Sequence, residues 1–244
     1  VNSTPVLPDG WTLVALDSVG STNDEAARLA EAGAREGTFV WAREQTGGRG
    51  RRGRRWASPV GNLYCSTVLR PECLAARAAE LGFVAALAVA DMVRDGRAVR
   101  VKWPNDVLID GGKVAGILPE SSIGQDGHVE HVVLGIGVNV GFAPSLPEMR
   151  YPGATLGGTV EAAVEALSAG LARWLAEWRR HGFETIRAGW LERAGPLGGE
   201  VDVKLGEELV RGAFAGMDRE GALLLETPAG TRRIVSGELL GRAA

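Results

Sequence analysis

Five arginines, Arg49, Arg51, Arg52, Arg54 and Arg55, are interleaved with Gly48, Gly50 and Gly53 in the stretch TGGRGRRGRRW. Guanidinium groups fork onto carboxylates and phosphates, and glycines let backbone N–H groups come close to an anion. Residues 48–53, GRGRRG, also carry the letters of the dinucleotide fingerprint G-x-G-x-x-G. That fingerprint needs a strand before it and a helix after it, because the pyrophosphate rests on the helix N-terminus. The run that follows, RRWASPVGNLY, contains Pro59 and Gly61 and then becomes strand-like, so the helix is missing. The acidic residue expected about twenty positions on is missing from a strand end too, since Glu72 follows Pro71 at a helix start. No G-x-x-x-x-G-K-[ST] phosphate loop occurs. On these residues alone, three readings stay open: a grip for one small anion, a nucleic-acid patch, or a solvated basic loop.

Other polar residues sit where chain geometry would aim them at a ligand. Ser21, Thr22 and Asn23 stand at a helix start, where Thr22 also serves as an ordinary N-cap with Glu25 at capping-box spacing. In KWPND, Pro104 ends a strand and turns Asn105 and Asp106 out of it. The Asp106 carboxylate suits Mg²⁺, which takes one or two carboxylates beside phosphate oxygens, or a plain Asx turn. Lys113 opens the strand after a Gly111-Gly112 turn, and Asn139 lies between valines, where a buried amide needs a partner. His128, His131 and His181 form no triad or metal pattern, and Cys65 and Cys73 lack metal or redox spacing.

These groups need a scaffold, and the patterning supplies one. The 244 residues suit one large domain, or a main domain with an appendage. The 35 glycines, about twice the usual share, follow no G-X-Y repeat. A net charge of −3 contrasts with the basic balance usual for nucleic-acid binders. The longest apolar run, residues 83–90, is too short to span a bilayer, and no signal peptide is visible, so a cytoplasmic protein is expected. Helices are predicted over 21–33 and 75–94, along the apolar stripe from Val160 to Trp178, and over 183–193. Strands are predicted at 38–43, 62–69, 99–103 and 131–140, with a hairpin about Gly111-Gly112. From Pro196 the pattern changes to short strands with glycine turns, EVDVKLG, ELVRGAFAGM, ALLLETP and RRIVS, which reads as a small β-barrel.

The ordered set STN, QTGGRGRRGRRW, GNLYCS, KWPNDVL, GGKVAGILPE and GIGVNV, spread over residues 11–141, resembles the biotin protein ligase family. The resemblance implies an α+β fold: a mixed β-sheet flanked by helices, similar to class II synthetases, over residues 1–195, and an SH3-like barrel over 196–244. It implies activation of biotin by ATP and Mg²⁺ to biotinyl-5′-AMP, release of pyrophosphate, and transfer to a lysine of a biotin carboxyl carrier protein. Ser21, Thr22, Asn23, Gln45, Gly48, Arg49, Gly50, Arg51, Lys113 and Gly116 match its biotin-binding positions. Arg51, Arg54, Trp56, Asn105, Lys113 and Asn139 match the adenylate side, with Arg51, Lys113 and Asp106 as catalytic groups and Asp106 as the Mg²⁺ ligand. Arg52 is expected to face solvent. About ten residues precede WTLVAL, so a helix-turn-helix DNA reader is not expected. Many relatives in that family pair as homodimers, so the resemblance allows a homodimer here, and neither nucleic acid nor membrane is an expected partner. Ligases and transferases for lipoate and octanoate are the nearest alternative.

Overall fold

A computed structural model describes residues 4–144 and 152–241. Its larger sheet has seven strands in the order β1-β2-β3-β7-β6-β5-β4. These are β1 (Thr12–Val19), β2 (Thr38–Gln45), β3 (Leu63–Leu69), β4 (Val99–Lys102), β5 (Asp106–Ile109), β6 (Gly112–Ile123) and β7 (Val129–Val138). Only β1 and β2 run parallel; the other pairs are antiparallel, which makes the sheet mixed as expected. The parallel pair requires a crossover, and helix α1 (Thr22–Glu31) provides it.

Side-chain alternation divides the work of the two faces. Val40, Val68 and Val133 pack under Ala26 and Ala30 of α1. On the other face, Phe39, Leu69, Val132 and Leu134 belong to the main core with α2 (Glu80–Ala90), α3 (Val160–His181) and α4 (Phe183–Arg193). Every residue of α2 is buried, as its apolar, alanine-rich sequence predicts.

The C-terminal region forms a second, antiparallel sheet from β8 (Glu200–Leu205), β9 (Glu208–Met217), β10 (Leu223–Thr227), β11 (Gly230–Ile234) and β12 (Glu238–Gly241). Its order is β11-β10-β9-β8-β12, so among the described residues the ladder does not close into a complete barrel. The strand β12 was not legible because ELLG is too short to alternate. The two sheets share one core: Phe83 of α2 contacts Phe183 and Trp190 of α4, and Trp190 meets Phe214 of β9. Trp103 Nε1 also donates to Gly221 O at 3.1 Å across the two parts.

Two local expectations need correction. The helix predicted over 75–94 is a 3₁₀ turn at Ala75–Arg77 followed by the shorter α2. Asp91, just past its end, is taken by Trp174 Nε1 (2.6 Å) and Arg193. The N-cap of α1 is Ser21 rather than Thr22, and no side chain caps it. Thr22 Oγ1 instead donates to Gln45 Oε1 at 3.0 Å, and Glu25 accepts from Arg28. Tertiary partners have replaced the local capping box.

Candidate active site

The face of the large sheet that carries α1 continues past the helix's N-terminus, and there the strands turn to small residues. Ser66 of β3 faces Gly135 of β7, Tyr64 faces Gly137, and Gly137 faces Gly116 of β6. An added Cβ at Gly135 would lie 2.1 Å from Asn23 Oδ1, and one at Gly137 would lie 2.5 Å from Trp56 Nε1. A Cβ at Gly116 would come 3.0 Å from the same indole. The three glycines thus form a floor on which Asn23 and Trp56 rest, below a pocket of about 310 Å³.

One end of the pocket is a neutral hydrogen-bond network. Ser21, Thr22 and Asn23 are buried. Gln45 Oε1 accepts from Thr22 N (2.8 Å) and Thr22 Oγ1, while Gln45 Nε2 donates to Ser58 Oγ at 3.0 Å. Ser66 Oγ stands 2.8 Å from Thr22 Oγ1 and 2.6 Å from Asn23 Oδ1, so its single proton serves one of them at a time. Asn23 Nδ2 donates to Glu120 Oε2 at 2.6 Å.

The arginine segment forms a tight hairpin over the pocket. Arg49 and Arg55 pair across it, and Gly50 N donates to Arg54 O at 2.7 Å. A single 3₁₀ turn, Arg51–Gly53, makes the tip, with Arg52 at φ 58° and Gly53 at φ 70°. No helix follows, so the dinucleotide reading fails in three dimensions as it did in sequence. Gly48 does not line the pocket. A Cβ there would meet Ser58 Oγ at 2.5 Å, so Gly48 lets the hairpin base close.

Most of these arginines already have carboxylate partners. Arg49 pairs with Asp24 (2.7 Å) and Glu120 (3.0 Å), and those contacts, led by Asp24, hold its pKa above the ordinary value. Arg54 pairs with Glu238 at 2.5 Å, and Arg52, exposed as expected, lies 4.0 Å from the same carboxylate. Arg51 differs. Its Nη1 reaches only the neutral Asn105 Oδ1 and Gly237 O, both at 3.4 Å. Burial, and then the neighbouring Arg52 charge, push its pKa down. Among the described residues, no carboxylate lies within ion-pair distance of Arg51.

The β4–β5 hairpin places Lys102 opposite Asp106. Lys113 Nζ lies 2.7 Å from Asp106 Oδ1, and Lys102 Nζ lies 3.6 Å from Oδ2. Lys113 also stands over the Trp56 ring, 5.3 Å from its centroid. Asn105, after the cis Trp103–Pro104 bond, donates to Ile117 O at 3.0 Å. Asn139, buried, donates from Nδ2 to Lys113 O at 3.1 Å, which ties two pocket residues together. Every sequence-derived site residue except Gly48 therefore lines one pocket.

The first 139 residues carry the match to the biotin/lipoate A/B protein ligase family, over residues 16–139, and the biotin protein ligase C-terminal domain matches 197–239. A biotin–[acetyl-CoA-carboxylase] ligase of Paracoccus denitrificans is 45% identical, over 90% of this chain and 96% of that one. The chain belongs to the biotin protein ligase family. The bifunctional ligase/repressor BirA of Bacillus subtilis is 35% identical over 94% of this chain and 74% of its own length. Among solved structures, the Aquifex aeolicus biotin protein ligase in complex with biotin and ATP aligns with TM-score 0.78 and 29% identity, covering 93% of this chain and 97% of that one.

Several residues in and around the pocket had no sequence signal of their own. Ser66, Ser58 and Glu120 lie just outside the lining and hold Asn23 and Gln45 from other segments of the chain. Gly237 and Glu238 arrive from the C-terminal sheet. Gly135 and Gly137 belong to GIGVNV, and their spacing of two puts them on one face of a strand. That spacing was the usable clue.

Proposed function

We propose that this chain joins the carboxylate of biotin to the α-phosphate of ATP, releases pyrophosphate, and passes the biotinyl group to a lysine of a biotin carboxyl carrier protein. The observation that carries the reading is one pocket with two chemically distinct ends on a shared glycine floor. The neutral end offers donors and acceptors together, as a ureido ring requires. The other end holds Arg51 and Lys113, and Arg51 is half-buried without a carboxylate partner among the described residues. Two anions must meet for the first step, and aligned cations in a partly dehydrated pocket stabilise that encounter.

Arg51 is assigned to the carboxylate and α-phosphate. Lys113 exchanges Asp106 for the same anions when they arrive, and Trp56 covers the nucleotide side. Arg54 assists at the triphosphate, with Asn105 and Asn139 on the adenylate. Ser21, Thr22, Asn23, Gln45, Arg49, Gly50 and Gly116 shape the biotin end. In the second step the amine attacks the acyl carbon, AMP leaves with the bonding pair, and the amine loses its proton. Asp106 keeps Lys102 at 3.6 Å when Lys113 leaves it, and that neighbouring ammonium argues against its acting as the base.

Mg²⁺ fits this pocket only as a companion of the triphosphate. Among the described residues there is no cluster of three or more metal-ligating side chains. Asp106 is the carboxylate that would hold it once Lys113 turns to the substrates, and its charge would offset that of the phosphates. The division at 195/196, homodimer formation and cytoplasmic residence belong to the same proposal. The division is supported by the change from α4, which ends at Arg193, to strands from Glu200. Among the described residues, no helix is long and apolar enough to cross a membrane.

The test is pyrophosphate release from ATP and Mg²⁺ with biotin, lipoate or octanoate, each with and without an apo carrier domain. Biotin-dependent release with the carrier lysine modified is expected. Release with lipoate or octanoate alone would move the chain to the other branch of its family. In the same assay, Arg51→Ala should cut adenylate formation by about 10²-fold, the scale of one lost oxyanion donor, and let the adenylate escape into solution. Lys113→Ala should slow the first step more than transfer from pre-made biotinyl-AMP. Equal slowing of both steps would remove Lys113 from its assigned role.

A further inference from the structure

Asn62, outside the pocket lining, organises one of its walls. Its side chain is 1% exposed. Its Oδ1 accepts from three successive backbone N–H groups, Val140 (2.8 Å), Gly141 (3.0 Å) and Phe142 (3.3 Å). Its Nδ2 donates to Phe142 O at 2.9 Å. Successive N–H groups that converge in this way form a concavity that ordinarily attracts an anion. Here a neutral amide oxygen fills it, so the bend is held by the protein's own side chain.

The bend lies between two pocket residues. Asn139 precedes it and Pro144 follows, and both line the pocket. The returning chain is tied to the same place: Leu156 N donates to Asn139 O (2.7 Å) and Gly157 N to Val140 O (3.0 Å). Ala154 N then donates to Lys113 O at 2.9 Å, the carbonyl that also accepts from Asn139 Nδ2. Close packing leaves little room for substitutes. A Cβ at Gly141 would lie 2.8 Å from Gly61 O, and one at Gly61 would lie 3.3 Å from the Phe142 ring. Among the described residues, the side-chain network of Thr22, Asn23, Gln45 and Ser66 bonds to Ser58 and Glu120 and not to Asn62 or to residues 139–142.

We infer that Asn62 is a positioning residue for the nucleotide side of the pocket: it fixes the 140–142 bend and so presents Asn139 and the Lys113 backbone to ATP, leaving the biotin end untouched. The inference rests on the ligase reading above. No rearrangement of the ureido-binding network is needed for it.

The experiment measures KM for ATP and for biotin separately in the full chain, by pyrophosphate release with an apo carrier domain, for wild type, Asn62→Ala and Asn62→Asp. Alanine removes the acceptor shared by the three N–H groups, leaving those of Val140 and Phe142 without it while Gly141 N keeps Gly61 O, and KM for ATP should rise about tenfold or more while KM for biotin stays within about twofold. Aspartate keeps the acceptor but sets a carboxylate oxygen against Phe142 O in place of the Nδ2 donor, so it should recover part of the ATP affinity. Hydrogen exchange of the Val140 and Phe142 amides, read in all three proteins, should accelerate in the alanine variant and partly recover in the aspartate one, while Gly141 N keeps Gly61 O. If alanine does not fold, the aspartate variant still decides: KM for ATP that moves together with amide exchange in the bend, with KM for biotin unchanged, supports the role, and a raised KM for ATP with wild-type exchange, or a parallel rise of both KM values, overturns it. Unchanged exchange in a folded alanine variant also overturns it. A wild-type chain silent with biotin and ATP would instead sink the ligase reading, and the nucleotide assignment with it, whatever the exchange data show of the bend.

Discussion

Gly135 and Gly137 stand where any side chain would enter the ligand's floor, and their cost can be read directly. Alanine at 135 would force Asn23 away from a contact of 2.1 Å, and alanine at 137 would push the Trp56 indole from 2.5 Å. Overpacking of this kind costs about 1–3 kcal/mol. Gly135→Ala is expected to raise KM for biotin more than KM for ATP, and Gly137→Ala to change Trp56 fluorescence and weaken ATP; steady-state kinetics and emission spectra check both. Cys65 lies in the same strand region, buried and free, and burial pushes its thiol well above the ordinary range. The thiolate is the reactive form, so a raised pKa means little reaction at mild pH. Iodoacetamide at about pH 8, below the ordinary thiol pKa, should leave Cys65 unlabelled in the folded chain and label it after denaturation, as mass spectrometry would show.

At the scale of elements, the β9–β10 turn depends on one carboxylate. Asp218 Oδ1 accepts from Glu220 N (2.8 Å) and Ala222 N (2.9 Å), and Arg233 of β11 pairs with it. Burial alone would raise its pKa, but the Arg233 and backbone hydrogen bonds outweigh burial and leave it lowered. A lowered folded-state pKa contributes stability that is present above the ordinary aspartate value and lost as pH falls through the folded value. Wild type should therefore lose thermal stability below about pH 4 more steeply than Asp218→Asn, which should melt lower at neutral pH; calorimetry across that range tests the difference. Helices and long strands were legible because they carry a period, as α3 and the all-apolar α2 show. The capping box of α1 was misread because Thr22 had a better partner in Gln45, 23 residues away.

Across the whole molecule, the arginine hairpin is fastened to the C-terminal sheet. Arg54 and Arg52 face Glu238 of β12, and Arg51 reaches Gly237 O. The Arg54 side chain is 59% exposed, and pairs this exposed contribute about 0–1 kcal/mol. Glu238→Gln should accordingly speed amide exchange of the ligand-free hairpin by up to about fivefold, without changing the fold. Exchange at wild-type rates would mean that the hairpin is ordered by its own turn and not by the second sheet. The pairing also bears on the nucleic-acid alternative. Arg49, Arg52 and Arg54 face carboxylates, so they do not form a continuous stripe ready for phosphates.

The sequence by itself determined the chemical inventory, because residue types and short spacings are local: the anion-binding arginines and lysines, the STN and KWPND groups, the strand-rich tail and the absence of a helix after GRGRRG. Only the tertiary structure decided which of Arg51 and Arg54 has a carboxylate partner among the described residues. Arg51 and Arg54 look equivalent as letters, yet Glu238, 184 residues from Arg54, engages one and leaves the other half-buried beside neutral groups. Pairing and burial depend on contacts between distant segments, which no local pattern encodes.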